Sequence, residues 1–327
     1  MPARHLSQPV MRRGAASHRV WRSLAGRGNE HVLPALCLIV CGALAARMLK
    51  GFPLDLIEAI VLGILQGATE FLPISSSGHL VLVPWWLGWD DPPLTFDVVV
   101  HLGTLTAVLA YFWRDWLTLL RAGWTALRTR STQTTSPQDV DARLLLLLIL
   151  GSIPAALAGL LLESKFESIS TPPIVAAFLL VTAGLLVFSE QRAASDRTLG
   201  SLTWRDALAV GTAQALAIFP GISRSGSTIA AGIVRGLPRP QAARFSFLLG
   251  TPIILAAGGK QALDLILGNE PLASGMALAL LAGFLSAAIV GYACISFLMR
   301  LLQRRRLYGF AIYCAVFGTL SLLVALL

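Results

Sequence analysis

Residues 66–79 of the chain read QGATEFLPISSSGH, and residues 214–227 read QALAIFPGISRSGS. The two stretches align at a constant offset of 148 positions (214 − 66). Identical residues at this offset are Ala59/Ala207, Gly63/Gly211, Gln66/Gln214, Phe71/Phe219, Ile74/Ile222, Ser75/Ser223, Ser77/Ser225 and Gly78/Gly226. The chain is therefore interpreted as a duplicated unit. The copies differ at polar positions, so function is expected where the two halves meet.

The composition around these stretches is that of a membrane protein. Of 327 residues, 55% are hydrophobic and 13% are charged, and the mean hydropathy is +0.71, too apolar for a soluble protein of this length. The net charge of +9 does not indicate nucleic-acid binding, because the basic residues fall in short runs between apolar segments, as in polytopic membrane proteins. The four cysteines lie inside apolar stretches without metal-ligand spacing, which indicates buried thiols.

Three regions are expected along the chain. Residues 1–50 form a basic extension with one apolar segment, 32–47, which is about long enough for an anchor helix. Met48 is an alternative start, and the sequence leaves that choice open. Residues 51–190 are predicted to form the first repeat and residues 191–327 the second repeat, within one integral membrane domain.

The apolar segment that follows each quoted stretch is too short to cross a bilayer. Pro73 and Gly78 interrupt the first copy, and Pro220, Gly221 and Gly226 interrupt the second. Each interruption predicts a re-entrant helix hairpin, which is tolerated where the broken backbone is buried in protein or lines a cavity. The predicted fold is an all-α polytopic membrane protein in which each half has one re-entrant hairpin and three crossing helices. An odd number of crossings inverts the second half relative to the first.

The connecting loops agree with this topology. Four alternate loops carry the arginines, and the loops between them are acidic, which places the arginine loops in the cytoplasm. The first hairpin is then expected to enter from outside and the second from the cytoplasm, with their tips meeting near the midplane. A Ser/Thr/Gln-rich stretch, roughly 128–142, is predicted to be a flexible loop. The arginine loops contain Arg121, Arg128, Arg130; Arg192, Arg197, Arg205; Arg235, Arg239, Arg244; and Arg300, Arg304, Arg305, Arg306.

The first stretch holds the candidate acid–base residues. Gln66 and Glu70 are four residues apart and share a helix face. An ionisable residue such as Glu70 at membrane depth is costly and indicates function, although a neutral or paired packing role is the alternative. Ser76 lies among three serines that could instead cap the returning helix, and His79 could be structural.

The second stretch puts Arg224 at the position of Ser76. A guanidinium among hydroxyls and helix N-termini is suited to phosphate, and the alternative is that Arg224 only neutralises Glu70. The groups expected to bind substrate phosphate are Ser75, Ser77, Ser223, Ser225, Gly226 and Thr228.

The two stretches resemble the signature regions of the undecaprenyl-diphosphate phosphatases, the BacA-type lipid phosphatases of bacteria. The similarity continues through TFDVVVHLGT and through LLGTP around Gly250, and it covers essentially residues 52–327. It implies hydrolysis of the C55 isoprenoid diphosphate to the monophosphate, which recycles the lipid carrier for cell-wall synthesis, and it implies a divalent cation, Mg or Ca. It also implies a bacterial inner membrane location, with the active site opening to the outer face. A homodimer is left open.

The hypothesis for catalysis combines positioning with charge neutralisation. Arg224 and a cation held by Glu70, with help from Gln66, would bind the diphosphate. Ser76, activated by His79, would attack the terminal phosphorus, or His79 would activate water directly. The rival hypothesis is a lipid-phosphate flippase that uses the same site, because inverted repeats and broken helices are typical of transporters.

Overall fold

The computed structural model describes residues 54–129, 137–166, 170–267 and 276–327. Within these ranges the regular structure is entirely helical. The eleven α-helices found there are α1 Leu56–Phe71, α2 Ser76–Leu87, α3 Leu94–Tyr111, α4 Trp113–Thr129, α5 Pro137–Phe166, α6 Pro172–Gln191, α7 Trp204–Leu216, α8 Arg224–Val234, α9 Arg239–Leu267, α10 Met276–Leu301 and α11 Tyr308–Leu326. The all-helical class predicted from the sequence is confirmed. The extension, its apolar segment and Met48 lie outside the described residues.

Six of these helices have the length and composition needed to cross a membrane: α3, α5, α6, α9, α10 and α11. Their apolar stretches run from 18 to 26 residues. Three come from each half of the chain, as the sequence predicted, and they carry many of the large apolar side chains that are exposed on the molecular surface.

Four shorter helices form two pairs, one for each quoted stretch. Helices α1 and α2 have 16 and 12 residues, and α7 and α8 have 13 and 11. At a rise of about 1.5 Å per residue, each is shorter than the roughly 30 Å of hydrocarbon in a bilayer. In the first pair the helix ends where Leu72 turns to an extended conformation before Pro73, because proline cannot continue the backbone hydrogen-bond ladder.

The first helix of each pair is held by a close approach to a longer helix. Gly63 of α1 lies against the Gly283 backbone of α10, and Gly211 of α7 lies against the Gly151 backbone of α5. An added Cβ at either position would overlap the facing backbone, so only glycine allows this spacing. Gly63 and Gly211 are equivalent at the offset of 148, so both copies use the same residue for the same packing.

Helix α4 differs from the sequence-based prediction. Arg121 and Arg128 were predicted to lie in a connecting loop, and residues 128–142, roughly, were predicted to be flexible. The structure instead places residues up to 129 in α4 and residues from 137 onward in α5, and the segment between them lies outside the described residues. The loop prediction was therefore wrong at both ends. At the α4 end, the apolar residues recur with helical periodicity rather than in one run, and a search for continuous apolar segments misses such a helix.

Arginines of the basic loops pair with carboxylates. Asp206 is 1% exposed and accepts from Arg197 at 2.8 Å and from Arg235 at 2.5 Å, while its other contacts close a capping box with Thr203 at the start of α7. Burial alone would raise the pKa of the Asp206 carboxyl, but hydrogen bonds from Arg197, Thr203 and Arg235 hold that pKa well below its usual range.

We expect the substitution Asp206→Asn to lower the free energy of unfolding by about 2 kcal/mol, since it leaves two arginines facing an uncharged group and both arginines are partly exposed. The folded-state pKa is below the unfolded value, so this stabilisation is complete above about pH 4 and is lost as the pH falls further. Thermal unfolding of the detergent-solubilised protein between pH 3 and pH 7 would measure both effects. The exposed Asp196→Asn variant is the control, and equal unfolding curves for the two variants would contradict the prediction.

Candidate active site

The two turns have the same capping hydrogen bonds. Ser75 caps α2 by accepting from the Gly78 backbone N–H at 3.3 Å, and Ser223 caps α8 by accepting from the Gly226 N–H at 3.0 Å. Each cap serine also contacts the hydroxyl two residues further along, Ser77 at 3.4 Å and Ser225 at 3.2 Å. The repeated sequence therefore folds into a repeated turn, although Ser75 has a φ of 73° and Ser223 does not.

The two turns touch each other. Ser225 donates to the carbonyl of Leu72 at 3.1 Å, and Gly78 lies close to the Cα of Gly221. The side chains of Ser76 and Arg224, which are equivalent in the repeat, both reach the same carboxylate. This contact between the tips agrees with the expectation from the sequence.

Glu70 is the centre of the site. Its carboxylate is 6% exposed and accepts three hydrogen bonds, from Arg224 Nη2 at 2.7 Å to Oε1, and from Ser76 Oγ at 2.5 Å and Gln66 Nε2 at 3.1 Å to Oε2. The ion pair between Arg224 and Glu70, offered above as the alternative role for the arginine, is present. It leaves the second guanidinium nitrogen uncommitted.

Arg224 Nη1 is buried and has no hydrogen-bond partner among the described residues. The guanidinium lies directly against Gly250, where a Cβ would overlap it. A buried donor without a partner is costly, so an acceptor on a ligand is the natural complement to this nitrogen. The glycine in LLGTP thus gives the guanidinium its room, a role that the sequence pattern did not reveal.

His79 does not contact Ser76, and the expected serine–histidine pair is absent from this arrangement. Its Nδ1 lies 2.7 Å from the carbonyl of Ser75, so Nδ1 must carry the proton. Its Nε2 lies 2.7 Å from the hydroxyl of Tyr313, and its ring is nearly parallel to the rings of Tyr313 and Phe317, with centroids 5.6 and 5.0 Å away. Glu70, and not His79, makes the hydrogen bond with the Ser76 hydroxyl. Ser76 and His79 are only three residues apart in sequence, but in the folded turn their side chains have different neighbours.

Most of the predicted phosphate-binding hydroxyls make bonds within the protein here. Thr228 donates to the Arg224 carbonyl at 2.8 Å and meets Ser246 of α9 at 2.5 Å. The Gly226 N–H is taken by the cap of α8, and Ser225 holds the other turn. These groups position Arg224. Their binding to substrate phosphate stays a prediction.

Several residues of the site carried no signal in the repeat. Thr182 of α6 binds both the Gly221 carbonyl, at 2.9 Å, and the Ser223 N–H, at 3.0 Å, and so fixes the second turn. Tyr313, Phe317 and Ser246 belong to spans without a distinctive motif. The sequence did not indicate these residues because they lie far from the two quoted stretches.

A divalent cation has a partial ligand set. Within the described ranges no group of three or more His, Cys, Asp or Glu side chains could hold a metal ion. Gln66 Oε1, however, is buried beside Glu70 and has no hydrogen-bond partner within the described part of the chain. One carboxylate and one amide oxygen fit a Mg²⁺ ion that keeps waters and takes its remaining ligands from substrate phosphates.

The chain is similar in sequence to known proteins. A family model described as bacitracin resistance protein BacA matches residues 59–320. The chain is 43% identical over 271 residues to the undecaprenyl-diphosphatase of Desulforudis audaxviator, covering 83% of this chain and 98% of the relative. It is 44% identical over 276 residues to that of Thermomicrobium roseum (82% and 97%) and 45% identical over 262 residues to that of Gemmatimonas aurantiaca (80% and 94%).

Proposed function

Because the chain belongs to the bacitracin resistance protein BacA family, we propose that it hydrolyses undecaprenyl diphosphate to undecaprenyl phosphate and inorganic phosphate. It is a multi-pass membrane protein and a hydrolase of cell-wall lipid carrier recycling. The observation that carries the assignment is the convergence of Ser76 and Arg224 on Glu70, which joins a nucleophile, a base and a phosphate-binding cation at one point.

In the first step the Ser76 oxygen attacks the terminal phosphorus while Glu70 Oε2 takes the hydroxyl proton. A bond forms between the Ser76 oxygen and phosphorus, the bond from phosphorus to the bridging oxygen breaks, and the lipid monophosphate leaves with the bonding electrons and with the proton that Glu70 passes to it. In the second step the Glu70 carboxylate takes a proton from water, whose oxygen attacks the phosphoserine. The bond from phosphorus to the Ser76 oxygen breaks, phosphate is released, and Glu70 returns its proton to Ser76. The 2.5 Å contact between Ser76 and Glu70 supports this order of roles.

Arg224 has two states in this mechanism. Without substrate it neutralises Glu70, and with a diphosphate bound its planar fork turns to the phosphate oxygens. Loss of the arginine from the carboxylate would make Glu70 a stronger base at the moment that substrate arrives. A cation held by Glu70 and Gln66 would add further charge neutralisation on the diphosphate.

The second route is direct attack by water. The sequence suggested His79 as its base, but both ring nitrogens of His79 have partners in Ser75 and Tyr313, so Glu70 is the base proposed for this route. The short contact between Ser76 and Glu70 favours serine attack.

We further propose that the two helix pairs are re-entrant hairpins of an inverted-topology repeat in the bacterial inner membrane. Their helices are too short to cross, and their tips meet. The matched glycine contacts, α1 with α10 and α7 with α5, relate the first half to the second in both directions. The arginine loops support a cytoplasmic location for their side. The resemblance to the family implies that the site opens to the outer face.

The test is phosphate release from the purified protein given undecaprenyl diphosphate in detergent. Stoichiometric release of phosphate and undecaprenyl phosphate is the expected result. Transfer of labelled lipid across vesicle membranes without phosphate release would instead support the flippase, which the names of the relatives do not favour.

We expect Glu70→Gln to lower turnover by about a hundredfold, because an amide cannot take the Ser76 proton. The response to added Mg²⁺ should fall with it if Glu70 also holds the cation. Gln66→Glu is the matched control four residues away, and it should retain activity because the family pattern accepts either residue there. A Glu70→Gln enzyme with normal turnover would remove Glu70 from both roles.

A further inference from the structure

Helix α4 exposes an apolar row and a basic row side by side. The large apolar side chains at positions i, i+4, i+7, i+11 and i+14 are all exposed: Trp113, Leu117, Leu120, Trp124 and Leu127. Arg114, Arg121 and Arg128, seven residues apart, are also exposed and follow the apolar row along the helix. At 100° per residue, the first row centres on one face and the arginines lie about 80° to one side of it.

The other side of the helix is already occupied. Leu119 and Ala122 are buried, and Gly123 lies against Leu145 of α5. Asp115, near the start of α4, pairs with Arg244 of α9. The helix is therefore fixed on the protein with its two exposed rows in a defined orientation.

Two arginines lie over the tryptophans of the neighbouring row. The Arg114 guanidinium carbon is 5.2 Å from the centre of the Trp113 ring, and that of Arg128 is 4.7 Å from the centre of the Trp124 ring. Tryptophan favours the boundary between hydrocarbon and headgroups, and arginine above it reaches the headgroup phosphates. Neither contact consumes the hydrogen-bond donors of the guanidinium.

We propose that α4 lies in the membrane–water interface, with its apolar row in the hydrocarbon boundary and its arginine row bound to anionic lipid headgroups. Three observations select this partner: the helix connects the apolar spans α3 and α5, its exposed apolar row has interfacial composition, and the adjacent charges are all positive. This surface is separate from the phosphatase site.

The proposal is tested with the full-length protein in nanodiscs of phosphatidylcholine. Energy transfer from tryptophan to pyrene-labelled phosphatidylglycerol is compared with transfer to pyrene-labelled phosphatidylcholine. Each arginine near an anionic surface contributes a preference of about fivefold. The wild-type preference for phosphatidylglycerol should fall by at least about fivefold in the Arg114→Gln/Arg121→Gln/Arg128→Gln variant.

The matched control is Arg304→Gln/Arg305→Gln/Arg306→Gln, which removes the same charge from the loop between α10 and α11 and should keep most of the preference. Equal losses in both triple variants would show a nonspecific charge effect and overturn the proposal. So would a Leu120→Ser/Leu127→Ser variant that lowers the particle mass while the lipid preference stays intact, because the apolar row would then be covered by a second copy of the chain.

Discussion

Ser76→Ala is expected to lower turnover by at least about a thousandfold while leaving substrate affinity within a few-fold of the wild-type value. Removing the attacking oxygen abolishes the covalent route, whereas Arg224 still binds the diphosphate. Single-turnover phosphate release, with binding of the lipid diphosphate measured separately, would distinguish the two effects. Among the described residues the Ser76 hydroxyl makes a hydrogen bond only to Glu70, so its loss should not disturb the fold.

The neighbouring serine provides the control. Ser77→Ala removes a hydroxyl whose hydrogen-bond contact among the described residues is with Ser75, and it should reduce turnover by less than tenfold. A Ser76→Ala enzyme within a few-fold of wild type would exclude serine attack and assign the reaction to water activated by Glu70.

His79→Phe keeps the stacking with Tyr313 and Phe317 but loses both hydrogen bonds, so it should reduce stability as well as turnover.

Arg224→Ala should also lower turnover by at least about a thousandfold, and here substrate affinity should fall too. The diphosphate loses its main charge partner in a site of low dielectric constant, and Glu70 is left with an uncompensated buried charge. Lysine at this position should recover only part of the activity, since it cannot present a planar pair of donors.

Arg205→Ala is the control for the arginine variant, because Arg205 is exposed and its guanidinium lies over Trp204, away from Glu70. Turnover and lipid affinity both near wild type in Arg224→Ala would move the substrate site to another part of the protein. A loss of turnover with unchanged affinity would restrict Arg224 to the transition state.

The sequence was sufficient to bring Glu70, Ser76 and Arg224 together. A duplication with polar residues at matching positions predicts contact between the two copies, and the ion pair and serine contact follow that logic. The partner of His79 could not be predicted in the same way. It depends on where α11 packs, and the apolar span that carries Tyr313 looks like any other.

Helix α4 and Gly250 were also beyond what the sequence could predict. Spans of continuous apolar residues were predicted because burial in lipid requires them. The helix α4 has its apolar residues on one stripe, and Gly250 acts only by having no side chain, so neither gives a signal that composition can detect.

The two turns share their caps but not their charges. The first copy carries the acid, Glu70, and its equivalent in the second copy is the apolar Ile218. The second copy carries the positive charge, Arg224, at the position equivalent to Ser76. The original copies have thus divided the labour between them. A protein built from two first halves would bring together two carboxylates and two serines without an arginine. One built from two second halves would bring together two arginines without a carboxylate. Each half therefore supplies to the site a group that the other half lacks.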